Sequence, residues 1–386
     1  MRVVNGLRDF KLMTAIGIGA FVTHTSQAHA DAFVQTNLVS DIAGLADVTD
    51  PALVNPWGVS ESATSPFWIS DQGTNESTLI TVNSAGVSIP NLAVTTPQTA
   101  SGPQGPTGQV SNSTTGFDVG TTGKPAAFIF ANLNGTISAW NPSLGAAGTV
   151  PAVTEVTTPG ASYTGLAIDS TTGHLFAATA TGINVFNSSF QAVALPAGAF
   201  TDPSATAAGL VPFNVQEING NIYVTYAPAG HANQTGAIAG MGAVAVFTTS
   251  GAFIQQVITG GALASPWGIT LAPASFGAFG GDLLVGNFSA SDSEINAFNA
   301  TTGAPEGSIP IDVGAGDTPG GLWDLTFGNG GSGGEADTLF FSDGINGETA
   351  GLFGSISAIP EPSSLLLLVA PALGLVATRR RHRFLA

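Results

Sequence analysis

Three oxygen-bearing side chains occupy one place in a recurring pattern. Asp118, Asn214 and Asp324 each follow a large apolar residue and precede an aliphatic one. Carboxylate and amide oxygens suit a hard cation such as Ca²⁺, which gathers oxygen ligands in a flexible shell. Converging on one axis, the three would form a metal site. The competing reading is that each caps a local turn or accepts backbone amides. A second set, Asp71, Asn132, Asn287 and Asp343, ends short apolar runs, with Thr179 and Tyr226 at the matching places of two others. Asp and Asn recur at hairpin corners because their side chains hydrogen-bond the backbone two residues on. The same corners are where a ligand would meet the loops. Trp57, Trp267 and Trp323 share a third position. Exposed indoles of this kind stack on sugars, whereas repeat-equivalent tryptophans pack element against element.

Dedicated hydrolytic motifs are not found. His174 and His231 are the only histidines between residues 31 and 359, and neither belongs to a motif. There is no His-Glu-x-x-His zinc helix and no phosphate-cradling loop.

The elements that position these residues form a repeat. Strand-like runs recur at Phe67-Trp68-Ile69-Ser70, Ala127-Phe128-Ile129-Phe130, His174-Leu175-Phe176-Ala177, Asn221-Ile222-Tyr223-Val224, Asp282-Leu283-Leu284-Val285 and Thr338-Leu339-Phe340-Phe341. Turn dipeptides such as Asn134-Gly135 and Asn219-Gly220 separate many of them. Each run follows a short element whose large residue falls at Trp57, Phe117, Leu166, Phe213, Trp267 or Trp323, a mean spacing of about 53 residues. A third element closes most units, as in Thr136–Asn141 and Glu294–Asn299. A period of roughly 40 to 55 residues holding about four short strands is that of a propeller blade. The expected fold is therefore all-β, a six-bladed β-propeller, with seven blades or a pair of β-sandwiches as alternatives. Phe33–Val39 precedes the first unit and is placed to complete the last blade, hiding a sheet edge. Pro97–Thr115, rich in Pro, Gly, Ser and Thr, reads as a long loop between the first two blades.

Charge excludes one class of partner. Between residues 31 and 359 a single lysine, Lys124, faces 23 carboxylates. Nucleic acid needs a basic surface and is ruled out. The absence of cysteine removes disulfides, thiol catalysis and thiolate metal sites.

The two ends carry most of the basic charge. Arg2, Arg8 and Lys11 precede an apolar stretch from Leu12 to Val22, and Ala28-His29-Ala30 offers a small-x-small cleavage site, the pattern of a secretory signal peptide. At the other end stand Pro360-Glu361-Pro362, an apolar run from Leu365 to Ala377, and Arg379, Arg380 and Arg381 followed by His382-Arg383. This order resembles the PEP-CTERM sorting signal of Gram-negative bacteria. The resemblance implies transient inner-membrane anchoring, processing by an exosortase, and release to the cell surface or outside. Domains are thus expected as a signal peptide (1–30), a propeller (31–357) and a sorting tail (358–386). The body, through Thr36–Asp41, Asn55-Pro56-Trp57-Gly58 and Phe67–Asp71, resembles an uncharacterised group of secreted bacterial proteins with NHL-like repeats. That group implies no catalytic residue. The expected function is a non-catalytic binding or scaffold protein of the envelope or the extracellular polysaccharide matrix. A metal-dependent hydrolase or lyase working at the channel mouth is the alternative.

Overall fold

The computed structural model describes residues 33–359. The expected signal peptide and the expected sorting residues Pro360, Glu361, Pro362, Arg379, Arg380 and Arg381 lie outside them. Among the described residues no helix is long and apolar enough to cross a membrane.

Six sheets follow one another along the chain, antiparallel except where Val48–Thr49 and Gly148–Pro151 add parallel at an outer edge, and each starts with an inner strand: Pro56–Ser60, Gln109–Ser111, Gly165–Asp169, Leu210–Ile218, Pro266–Leu271 and Leu322–Phe327. They are the blades of a six-bladed β-propeller. Blade 3 has three strands, Gly165–Asp169, His174–Thr179 and Gly182–Phe186, while the others have four or more. The ring closes as expected. Phe33–Ser40 pairs antiparallel with Leu352–Ala358, from Phe33 opposite Ala358 to Ser40 opposite Leu352, with a register shift between Asn37 and Val39. Separate apolar clusters fill the spaces between neighbouring blades, aliphatic side chains with aromatic contacts among them, as in the Phe67, Phe340 and Phe353 group.

Strand register aligns the blades residue by residue. Val59, Gln109, Leu166, Val215, Ile269 and Leu325 each face the equivalent residue of the second strand: Ile69, Phe130, Ala177, Val224, Val285 and Phe341. Two expectations change. In blade 2 the inner strand lies inside the stretch that reads as a loop, because a Gly- and Gln-bearing segment can serve where the axis leaves no room for side chains. Phe117 instead adopts a left-handed φ of 63° in a loop held by an isolated bridge between Asp118 and Pro125. In blade 3 the residue matching Trp57 is Thr164, and Leu166 matches Val59.

The residues one step before the aligned set are Gly58, Gly108, Gly165, Asn214, Gly268 and Asp324. A Cβ at Gly58 would sit 2.7 Å from the Thr107 carbonyl oxygen of the next blade. Gly268 faces the Trp323 carbonyl oxygen still more closely. Glycine here lets neighbouring inner strands approach, and the axis is narrow at this level.

Candidate functional site: two ends of the channel

One step further back stand Trp57, Thr107, Thr164, Phe213, Trp267 and Trp323, and the aromatic members meet on the axis. The Trp57 and Trp323 rings stack with centroids 3.6 Å apart, and Trp267 meets both edge-on at 6.2 and 5.6 Å. Phe213 and Phe288 complete the cluster. The three indoles are 4%, 1% and 0% exposed, so none is a free platform for a sugar; they are core, as repeat-equivalent tryptophans tend to be. Trp267 Nε1 donates to the Thr164 carbonyl oxygen at 2.9 Å, and Trp323 Nε1 to Asn55 Oδ1 at 3.0 Å. Trp57 Nε1 has no acceptor among the described residues.

The mouth, where the inner strands begin, holds a cavity of about 450 Å³. Trp57, Phe213 and Leu133 give it an apolar floor, and Asn55, Gln72, Ser162, Thr164 and Gln234 a rim of neutral polar groups. Two connections between second and third strands supply its charged pair. His231 opens the short helix His231–Thr235 of blade 4, and Glu348 ends the turn Ile345–Glu348 of blade 6. His231 Nε2 lies 2.7 Å from Glu348 Oε2. Glu348 and Asn55 are both held at left-handed φ, 65° and 47°, a backbone cost that surrounding contacts must sustain. Asn55 links them: its Nδ2 donates to Gln72 Oε1 at 2.8 Å and to Glu348 Oε1 at 3.3 Å. The hydrogen bond to the Glu348 carboxylate raises the pKa of His231, against the opposing effect of burial. Sequence reasoning set His231 aside and missed Asn55, Gln72 and Glu348. No local pattern joins residues from blades 1, 4 and 6.

The expected corner residues are buried, not presented to a ligand. Asp71, Asn132, Asn287 and Asp343 are all 0% exposed. Asp71 Oδ2 accepts from Thr78 Oγ1 at 2.6 Å, and Asn132 Nδ2 donates to Thr136 Oγ1 at 3.0 Å. Asn287 accepts from Ala264 N and donates to the Ala262 carbonyl, each at 2.9 Å. Asp343 alone has no hydrogen-bond partner at either oxygen among the described residues. Burial pushes its carboxyl up to about 8 and that of Asp71 well above the usual range.

The metal set is not assembled as expected. Asp118 is exposed on its blade 2 loop, away from the channel lining. Asn214 and Asp324 do line the channel, but both serve the backbone. Asn214 Nδ2 donates to the Trp267 carbonyl at 3.0 Å; Asp324 accepts from Val59 N at 2.7 Å and Leu325 N at 2.8 Å. No group of three or more His, Asp or Glu side chains fit to hold a metal occurs among the described residues. Gly330-Gly331-Ser332-Gly333-Gly334 spells the letters of a nucleophile elbow, yet it is a bridged loop without the following helix that motif requires.

Beyond the aromatic layer the channel continues as a polar chamber of about 230 Å³. Glu61 and Asp324 border it, and burial raises their carboxyls to about 8 and about 7, with the Asp324 charge adding to the rise at Glu61.

No protein-family model matches this chain. It is similar to three uncharacterised proteins of Acanthamoeba polyphaga mimivirus. R648 is 30% identical over 270 residues, covering 68% of this chain and 66% of that protein. R640 is 29% identical over 45% of this chain and 33% of that protein, and L690 is 28% identical over 75% and 78%. The chain thus spans less than two thirds of the length of the first two. Among solved structures it resembles Kuenenia stuttgartiensis hydrazine synthase (12% identity, 78% of this chain and 76% of that one, TM-score 0.47) and a streptogramin B lyase (13%, 85% and 98%, TM-score 0.48).

Proposed function

We propose that this protein is a non-catalytic binding propeller whose channel mouth takes a neutral saccharide. The supporting observation is the mouth cavity itself: an apolar floor of Trp57, Leu133 and Phe213 under a rim of amides and hydroxyls. The rim offers hydrogen-bond partners to sugar hydroxyls, and half-buried Leu133 is the apolar surface left open beneath it, the covered Trp57 and Phe213 only closing the floor. The ionisable pair at the mouth, His231 and Glu348, is engaged with itself at 2.7 Å rather than presented to an ionic ligand. Titration calorimetry with neutral oligosaccharides tests this. Binding that is lost in Gln72→Ala and Gln234→Ala, with thermal unfolding retained, is expected. A failure of every neutral glycan to bind the wild type would overturn the reading.

Export belongs to the same proposal, on the basic–apolar–small start and the Pro-Glu-Pro, apolar, arginine order of the last residues. The protein would then work in the envelope or the extracellular polysaccharide matrix after signal peptidase and exosortase have acted. Mass spectrometry of the mature ends checks this; a chain from an exosortase-bearing host that still carries Arg379 to Ala386 would refute it. A second reading, hydrolase or lyase chemistry, draws on the His231–Glu348 pair, since a carboxylate-oriented imidazole is a general base. Glycan turnover abolished by His231→Gln would favour it over simple binding.

A further inference from the structure

We propose that the chamber on the far side of the aromatic layer binds a hydrated divalent cation through Glu61 and Asp324. The two carboxyls come from neighbouring inner strands, blades 1 and 6, which close the ring beside each other. Asp324 Oδ2 accepts the Val59 N–H, two residues before Glu61, and Thr326 Oγ1 donates to Glu61 Oε1 at 3.5 Å. These contacts hold both acids at one side of the chamber. Glu61 Oε2 is buried and finds no partner among the described residues, and the same is true of Ser60 Oγ beside it. A buried carboxylate oxygen left without a donor is costly, and native proteins supply it with a hydrogen bond, a water or an ion.

No cationic side chain borders the chamber. Lys124, the one Lys or Arg between residues 31 and 359, is exposed on the blade 2 loop. A countercharge to the ionised carboxylates therefore comes from solution, the cation displacing the protons that burial otherwise keeps there. The chamber, about 230 Å³, has room for an ion with its water shell. The Glu61 and Asp324 carboxyls, with Glu217, Gln216 and Ser111 also at the wall and Glu217 Oε1 taken up by Gly220 N, fit a hard cation that keeps several waters better than one enclosed by protein oxygens.

The probes are MgCl₂ and CaCl₂ in calorimetry and thermal unfolding, against NaCl at equal ionic strength, with Mn²⁺ electron paramagnetic resonance counting sites. One saturable site is expected. Glu61→Gln should weaken it by about tenfold or more, on the scale by which altered metal surroundings change affinity. Asp118→Asn, which removes the same charge from an exposed loop, should leave it unchanged. Gln216→Lys, which places an ammonium in the chamber, should abolish the cation response and raise the unfolding temperature without added metal. No response beyond that of NaCl in the wild type would overturn the proposal. Equal affinity in Glu61→Gln and Asp118→Asn would do so too, as would undiminished binding in Gln216→Lys should Glu61→Gln fail to fold.

Discussion

Replacing Asp343 by Asn should stabilise this protein, and by an amount that grows with pH. The position ends the second strand of blade 6, is 0% exposed, and leaves both carboxylate oxygens without partners among the described residues. Burial pushes the folded carboxyl up to about 8, against 3.8 for an ordinary aspartate in the unfolded chain. Between these values the folded state keeps a proton that the unfolded state has released. Stability therefore falls as pH rises, by about 1.4 kcal/mol per pH unit, and levels off above about 8. At pH 7 the burden of Asp343 comes to about 4 kcal/mol, a large share of the net stability of a typical domain. An Asn amide carries no such proton linkage. It also fits the place, since Asn132 and Asn287 fill the equivalent corners of blades 2 and 5.

Urea unfolding followed by tryptophan fluorescence, for wild type and Asp343→Asn at pH 5, 6 and 7, measures the effect. The two proteins should differ little near pH 4. Their separation should widen by about 2.7 kcal/mol from pH 5 to pH 7. The difference between the curves isolates Asp343, because Asp71, Glu61 and Asp324 contribute equally to both. Parallel profiles would refute the reasoning, for they would mean that the carboxyl is ionised and solvated in the folded state. An Asn variant weaker at every pH would also refute it, by revealing a partner that the carboxyl needs.

Other consequences follow from the same geometry. Gly268→Ala should destabilise by about 1–3 kcal/mol, the cost of overpacking, because its Cβ would overlap the Trp323 carbonyl oxygen; an unchanged unfolding temperature would show that the inner strands lie further apart. Glu348→Gln should lower the His231 pKa toward 6.5, since the carboxylate hydrogen bond is the chief cause of its rise; an unmoved imidazole titration by proton NMR would contradict that. Deleting residues 33–40 leaves Leu352–Ala358 as an unpaired edge and should promote aggregation in light scattering; a folded protein of unchanged size distribution would show that the closing strand is dispensable.

What the sequence disclosed and what it hid divide along a physical line. The blades were legible because each buries a short apolar strand at a regular interval, and the closing strand because a ring of sheets leaves one edge to cover. The register of the inner strands was legible in blades 1, 4, 5 and 6, where Trp57, Phe213, Trp267 and Trp323 mark it, and not in blades 2 and 3. On the axis the constraint is the absence of a side chain, met by Gly58, Gly108, Gly165 and Gly268, and glycine is also the signature of a loop. The Phe117-Asp118-Val119 run imitated an inner strand while the true one, Gln109–Ser111, lay in a stretch that looked like a connection. The candidate site suffered more, because a propeller assembles its axis from residues that lie far apart in the chain. Trp57, Trp267 and Trp323 were singled out correctly as equivalent, yet only their mutual contacts show that they plug the channel and divide it into two ends. The mouth then depends on His231 and Glu348, one strand connection from each of two blades, and the chamber on Glu61 beside Asp324 across the closure of the ring. Repetition marks the positions that all blades share for packing; in this chain the chemistry sits where individual blades depart from the repeat.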